Sequence, residues 1–289
     1  MRIGLFLGLT VPPNTPELLA AVARLADERG IQSLWLGEHV MLFDQHDKNY
    51  PYAATGDFPI KGEGGLAEPF TTLAWCAAIT TRVRIGTAVC LVPQRNPLYT
   101  AKEVANVDWL SGGRFDFGIG VGWQREEFEA LDVPFADRGR RNDEYIELMR
   151  TLWRDPVSQF DGEFWKLAPC RAYPKPVQQP HPPIHIGGES DIALRRVVRL
   201  DAHWFPFNLD PVGLASRRQQ LRSLLADAGD RSIDDVTITV SPARDHAGAE
   251  HAHAFAEAGA DQLIARLPRD LTLATVERAF DELSAAYDL

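Results

Sequence analysis

The stretch Ser111–Leu131, SGGRFDFGIGVGWQREEFEAL, decides the fold. Ser111-Gly112-Gly113 breaks the helical pattern before it, Phe115 to Val121 reads as a short buried strand, and Trp123 to Leu131 reads as a short helix. Gly118, Gly120 and Gly122 thin the strand so that something can approach its backbone: a flat ligand in one reading, closely packed neighbouring strands in the other. Two glycines spaced this way after a strand also suggest a dinucleotide-binding turn. That pattern needs a third small residue where this chain has Trp123, so the open dinucleotide-binding sheet fails at its own motif.

Upstream of this stretch, Ile3 to Leu9 reads as a first strand. A helix begins at Pro16, repeats Leu18, Leu19, Val22, Leu25 and Ala26 at helical spacing, and ends at Gly30. Ile31 to Leu36 is a second strand ending on Glu38-His39, and Val83 to Leu91 a third, with helices over Pro69 to Thr80 and Leu98 to Leu110. Downstream come a helix from Asp137 to Trp153 and a hairpin across Phe160 to Trp165 with a tight Asp161-Gly162 turn. Strands then fall at Ile184 to Ile186, Ala202 to Phe205, Val236 to Val240 and Gln262 to Ala265. Helices fall at Asp191 to Leu200, Pro211 to Ala228, Ala247 to Ala258 and Leu271 to Ala286. Strands that alternate with helices in this way predict the α/β class and a (β/α)8 TIM barrel, a fold of about 250 residues before insertions. All 289 residues then form one domain, with insertions at about 41–68 and 155–182. The first insertion has no helical period and is longer than an ordinary connection, which marks it as functional.

Composition narrows the function. A formal net charge of −10 with dispersed Lys and Arg speaks against nucleic acid as a partner. No apolar run approaches the roughly 18 residues of a membrane span, and no signal segment is recognisable, so a cytoplasmic location is expected. Cys76, Cys90 and Cys170 stand far apart without metal-ligand spacing and read as reduced thiols. His251 and His253 face differently on a helix, and no metal is expected. The preference for Arg over Lys suits a GC-rich genome.

In a barrel of this kind the site is built at the carboxyl ends of the strands. The segments there are Gly8 to Pro13, Glu38-His39, Ala88-Val89, Gly122-Trp123, Gly187 to Ser190 and Pro206 to Asn208. Gly187-Gly188-Glu189-Ser190 opens a helix whose free N–H groups suit a phosphate; a plain helix cap on Ser190 is the blander reading. Glu38-His39 offers an acid–base pair, against a structural role in hydrogen bonding. Trp123 walls a flat ring or belongs to the core.

Together these residues resemble a known family. Gly86-Thr87-Ala88-Val89 with Pro93-Gln94-Arg95-Asn96-Pro97, Ser111-Gly112-Gly113-Arg114 with Gly118-x-Gly-x-Gly-Trp123 and Glu126-Glu127-Phe128, and Pro183-Ile184-His185-Ile186-Gly187-Gly188 are similar, in this order, to the bacterial luciferase-like monooxygenase superfamily. Gly-Val-Gly-Trp and Gly-Gly-Glu-Ser look most like its branch that uses the deazaflavin coenzyme F420. The resemblance implies a cofactor at the barrel mouth, held by Ala88, Val89, Gly120, Gly122, Trp123, Ile186, Gly187, Gly188, Glu189 and Ser190. It also implies a non-proline cis bond at Ala88–Val89, His39 and Glu38 as catalytic residues, and a homodimer. Some deazaflavin relatives carry a glutamate where this chain has Trp123. The activity implied is hydride transfer between F420 and a small organic substrate. The alternatives are an FMN-dependent two-component monooxygenase served by a separate reductase, and a non-catalytic flavin-binding accessory protein. A mouth filled by the 41–68 loop would favour the last.

Overall fold

The computed structural model describes residues 1–8, 10–11, 14–60, 64–229, 231–268 and 270–289. Leu9, Pro12 and Pro13 of the first mouth segment, and residues 61–63 of the first insertion, lie outside the described residues. The first half of the chain runs β1 (Arg2–Phe6), β2 (Thr10–Val11), α1 (Pro16–Glu28), β3 (Ser33–Leu36), β4 (Gly65–Leu66), α2 (Pro69–Ala78), β5 (Arg84–Thr87), β6 (Cys90–Leu91), α3 (Pro97–Ser111), β7 (Phe115–Gly120), α4 (Arg125–Ala130) and α5 (Arg138–Arg154). The second half runs β8 (Ser158–Asp161), β9 (Lys166–Cys170), β10 (Ile184–Gly187), α6 (Asp191–Arg199), β11 (His203–Phe205), β12 (Phe207–Leu209), α7 (Pro211–Ala228), β13 (Thr239–Pro242), α8 (Ala252–Glu257), β14 (Gln262–Arg266) and α9 (Val276–Tyr287).

Four helices start on a proline that follows a capping side chain: Thr15 before α1, Glu68 before α2, Asn96 before α3 and Asp210 before α7. Each cap accepts a hydrogen bond from an N–H of the first turn, and the proline lacks the donor that would otherwise go unused. The strands lie side by side in the order β11, β10, β7, β5, β3, β1, β14, β13, β12, with β6 also paired to β7. All of these pairings are parallel. A parallel bridge between Trp204 and Ile238 brings β11 back beside the approach to β13 and joins the ends of the sheet. The result is the expected (β/α)8 TIM barrel, with the two halves β5/β6 and β11/β12 each acting as one stave.

The lumen is divided by Trp35, which packs edge-on against Phe205 at 4.8 Å and His185 at 5.3 Å between ring centroids. Glycines make room for the indole: a Cβ on Gly86 would lie 2.6 Å from Trp35 Cζ3. The same close packing accounts for part of the glycine-rich strand. A Cβ on Gly118 would sit 1.9 Å from the Thr87 carbonyl oxygen, and one on Gly120 2.5 Å from Val89 Cγ2. The neighbouring strand therefore occupies the space beside Gly118 and Gly120 that a ligand was expected to use.

Several boundaries differ from the sequence expectation. The third strand, read as continuous from Val83 to Leu91, is interrupted between β5 and β6, where the Ala88–Val89 peptide is cis as the resemblance implied. The hairpin closes through Gly162 to Trp165, with Gly162 N–H donating to the Trp165 carbonyl, instead of through a two-residue Asp-Gly turn. Its turn is organised by Glu144, whose carboxylate accepts the N–H groups of Glu163, Phe164 and Trp165. The seventh strand begins three residues later than expected, after a capped 3-10 turn at Ile233–Asp235, and the N–H groups of Thr237 and Ile238 go to the His203 and Asp261 side chains instead of a ladder. The helix expected over Ala247 to Ala258 shrinks to α8, preceded by two 3-10 turns.

Candidate active site

His39 follows β3 at the carboxyl end of the barrel, and its Nδ1 lies 3.1 Å from Glu127 Oε2. Glu127, on α4, is fully buried; its other oxygen accepts the Val40 N–H at 2.7 Å, and Gln94 Nε2 donates to Oε2 at 3.0 Å. Burial presses this carboxyl toward neutrality, but the bonds from His39, Gln94 and Val40 outweigh it and hold its pKa below the ordinary range. Glu127 is therefore a carboxylate at neutral pH. It fixes the imidazole by Nδ1 and leaves Nε2 as the nitrogen that can exchange a proton.

Glu38, expected beside His39 as a catalytic residue, is committed elsewhere. One oxygen accepts the Leu91 N–H at 2.6 Å, and the other pairs with the Arg95 guanidinium, which also reaches Glu103 at 2.9 Å. Its visible work is to hold β6 and the turn after it.

The expected cofactor residues gather on one arc of the mouth, where β5/β6, β7 and β10 are neighbours. The Val89 side chain rises between Gly120 and Gly187, and a Cβ on Gly187 would lie 2.8 Å from Val89 Cγ1. Ala88, Val89, Gly120, Gly122, Trp123, Gly187 and Gly188 are all half-buried and open to the mouth, while Ile186 is buried beneath them. Gly122 and Gly188 have φ of +76° and +105°, backbone shapes that favour glycine. The Ser190 hydroxyl accepts the Ala193 N–H at 3.2 Å and so caps α6. The N–H groups of Asp191 and Ile192 are left at the helix end. Glu189 turns its carboxyl away from that end: Oε1 accepts the Phe207 N–H at 2.6 Å, and the Tyr52 hydroxyl bonds to it as well. Burial pushes this carboxyl up to about 7.

The insertion after β3 folds over the mouth. Trp123 meets His39, His46, Tyr50 and Phe58 at ring-centroid distances of 5.8, 6.1, 5.2 and 5.7 Å, and Tyr52 packs on Phe207 at 4.6 Å. Trp123 is thus a wall of the mouth and no part of the core. The Asp47 N–H donates to Glu126 Oε1 at 2.7 Å and pins the insertion to α4. Gln94 Oε1, Gln124 Oε1 and Glu126 Oε2 are buried there without a hydrogen-bond partner among the described residues. The sequence reading omitted Glu127, Gln94 and Tyr52 from the site. The first two stand inside quoted motifs, yet His39 and Glu127 are 88 residues apart and only the fold joins them.

A closed parallel barrel with its ionisable groups and half-open glycines at the carboxyl ends is the layout of TIM-barrel enzymes. The chain belongs to the luciferase-like monooxygenase family, whose model matches residues 1–287. It is 31% identical over 289 residues to an uncharacterized protein of Mycobacterium tuberculosis, covering 98% of this chain and 99% of that one. It is 33% identical over 168 residues to the oxygenase component of a flavin-dependent trigonelline monooxygenase from Acinetobacter baylyi, covering 57% of this chain and 41% of that one. Its fold is also that of an F420-dependent secondary alcohol dehydrogenase solved with an F420–acetone adduct, at a TM-score of 0.77 and 16% identity, covering 99% of this chain and 98% of that one. Among the described residues, no helix is long and apolar enough to cross a membrane, and no three His, Cys, Asp or Glu side chains converge as a metal site. The three cysteines are free thiols.

Proposed function

We propose that this protein is an oxidoreductase that moves a hydride between coenzyme F420 and a small organic substrate. The observation that carries this reading is the His39–Glu127 pair standing beside the half-open cradle around Val89. The residues present fit the cofactor: Val89, flanked by Gly120 and Gly187, is a floor for a flat ring, and the end of α6 offers N–H groups to a phosphate. When bound, the deazaflavin would supply the hydride chemistry. His39 then gives or takes the accompanying proton at Nε2, Glu127 holds the imidazole, and the insertion over the mouth excludes water. Glu38 acts as a positioning residue for β6. Full-length agreement of fold with an F420-dependent alcohol dehydrogenase supports the reading.

A second reading, FMN with oxygen and a separate reductase, is favoured by the identity to a flavin-dependent oxygenase component. The non-catalytic reading is favoured by an insertion that covers the mouth, and is opposed by the His39–Glu127 arrangement. A binding titration of the purified protein against F420 and FMN separates them. Micromolar F420 binding with weak FMN binding supports the proposal. The reverse transfers the protein to the oxygen-using enzymes, and binding of neither overturns both. A homodimer remains part of the proposal, supported by Trp75, Tyr99, Trp109 and Leu110 standing exposed on α2 and α3.

A further inference from the structure

We propose that the substrate is a planar aromatic acid, its ring held by Tyr50, Tyr52, Phe58 and Phe207 and its anionic group by Arg244 with Arg266. The inference rests on the catalytic reading above and specifies what enters the same mouth. The barrel order gives the mouth two arcs. The cradle for the cofactor lies over β5/β6, β7 and β10, while the arc opposite is built from the ends of β12, β13 and β14.

That second arc carries the aromatic and basic groups. Phe207 opens β12 and packs on Tyr52 at 4.6 Å; Tyr52 packs on Tyr50 at 5.5 Å, and Tyr50 on Phe58 at 5.1 Å. These edge-on contacts, at angles of 63° to 87°, form a run of faces and edges suited to receiving one more flat ring. Arg266 closes β14, stands over the Phe207 ring at 5.7 Å and donates to the Pro242 carbonyl at 3.3 Å. Arg244 follows β13, is exposed, and makes no hydrogen bond or ion pair among the described residues. The positive charges of both arginines reach the Tyr50 hydroxyl.

The acidic groups around the mouth are mostly spoken for. Glu127 serves His39, one oxygen of Glu126 serves the Asp47 N–H, Asp57 faces Lys48 at 3.5 Å, and Glu189 serves Phe207 N–H and Tyr52. Among the described residues, the cation left over is Arg244, which follows β13, the strand paired with the β14 that carries Arg266 over Phe207. A guanidinium next to stacked rings recognises a carboxylate on an aromatic ring by a charge-assisted fork and by stacking together.

The test is a calorimetric titration of the full-length protein with 1-naphthoate and with 1-naphthamide, a neutral analogue of nearly the same shape, with and without the cofactor the titration above selects. The expected result is naphthoate binding at least about 10-fold tighter than naphthamide. Arg244→Gln should bring that ratio close to one without changing cofactor affinity, and Tyr50→Leu should weaken both probes alike. Equal binding of the two probes, an unchanged ratio in Arg244→Gln, or binding of neither probe overturns the proposal. Circular dichroism of each variant establishes that it is folded. Because the readout is binding, it fails separately from the cofactor assignment: naphthoate discrimination without cofactor binding sinks only the F420 reading, and cofactor binding without discrimination sinks only the substrate class.

Discussion

The two ends of this barrel use the same residue types for opposite purposes. At the amino end, Arg84 grips Asp116 through two 2.7 Å hydrogen bonds and also reaches Gln178, which anchors the second insertion to Asp108. His185 and His203 lie beside them, 5.1 Å apart, around a polar cavity of about 250 Å³ below Trp35. Burial, with His185 and Arg231 adding to it, pushes His203 down to about 4, and its Nδ1 accepts the Thr237 N–H, so this ring is neutral and fixed. At the carboxyl end a histidine pairs with a glutamate instead: Glu127 holds His39 by Nδ1, and Phe58 of the insertion and Trp123 stand against the ring. At the amino end Arg84, Asp116 and His203 are held by scaffold groups and contribute stability; at the carboxyl end Glu127 holds His39 on one ring nitrogen only. Charge alone does not mark a site. What marks it is a charge held on one side and left open on the other.

The sharpest way to break the comparison is Trp35→Ala, which removes the partition between the two ends. Loss of a side chain only 1% exposed should destabilise the fold by about 4 kcal/mol, read from the denaturant midpoint. Asp116→Asn should follow, at roughly 3 kcal/mol, because it leaves the Arg84 guanidinium without its carboxylate. Cofactor affinity should survive, since the pair lies at the other end. The two bonds from Arg84, with His185 3.7 Å away, overcome burial and hold the Asp116 pKa down. Its contribution is therefore fully present above the unfolded carboxylate range and disappears as pH falls through the lowered folded value.

His39→Ala should do the reverse. A fall in kcat of about 100-fold or more is expected with cofactor Kd unchanged, while the denaturant midpoint falls modestly because buried Glu127 loses one of its partners. Turnover at the parental rate would remove His39 from the chemistry.

Glu189→Gln sharpens the comparison by pH. Burial pushes the native carboxyl up to about 7 from the ordinary carboxylate range near 4.5, so the folded state holds a proton that the unfolded chain releases. Stability should decline as pH rises from about 4.5 toward 7 and level off above, and the variant should lack that slope. A parallel slope in both proteins would show that Glu189 is not the source.

The smallest effect is expected at Asp27, on the amino face. Burial opposes its ionisation, yet it accepts the N–H groups of Thr81, Arg82 and Val83 and the Thr81 hydroxyl, and its pKa falls to about 2. Asp27→Asn should cost about 1 kcal/mol at neutral pH, a difference that vanishes as pH falls from about 4 toward 2.

Most of the barrel is legible in the chain. The proline-plus-cap punctuation before α1, α2, α3 and α7, and the apolar strands between helical patterns, follow from local backbone chemistry that a linear reading can apply. Boundaries differ where tertiary bonds override local pattern: Glu144 decides the hairpin turn, and the side chains of His203 and Asp261 take the N–H groups of Thr237 and Ile238 ahead of β13. The motif positions of the mouth were also legible, because strand ends in such a barrel converge wherever they fall in sequence.

The division between what the chain and the fold determine is clearest at the glycines and at His39. Sequence alone establishes that β7 and the residues after it are thinned at Gly118, Gly120 and Gly122, and that His39 follows the end of a strand. Only the tertiary structure decides that Thr87 and Val89 take the space beside Gly118 and Gly120, that Glu38 is spent on Arg95, and that Glu127 is the partner of His39. The reason is physical. Strand and helix periodicity are set by neighbours a few residues away, whereas the burial and hydrogen bonding that hold a carboxylate ionised come from residues far along the chain, brought together only when the barrel closes.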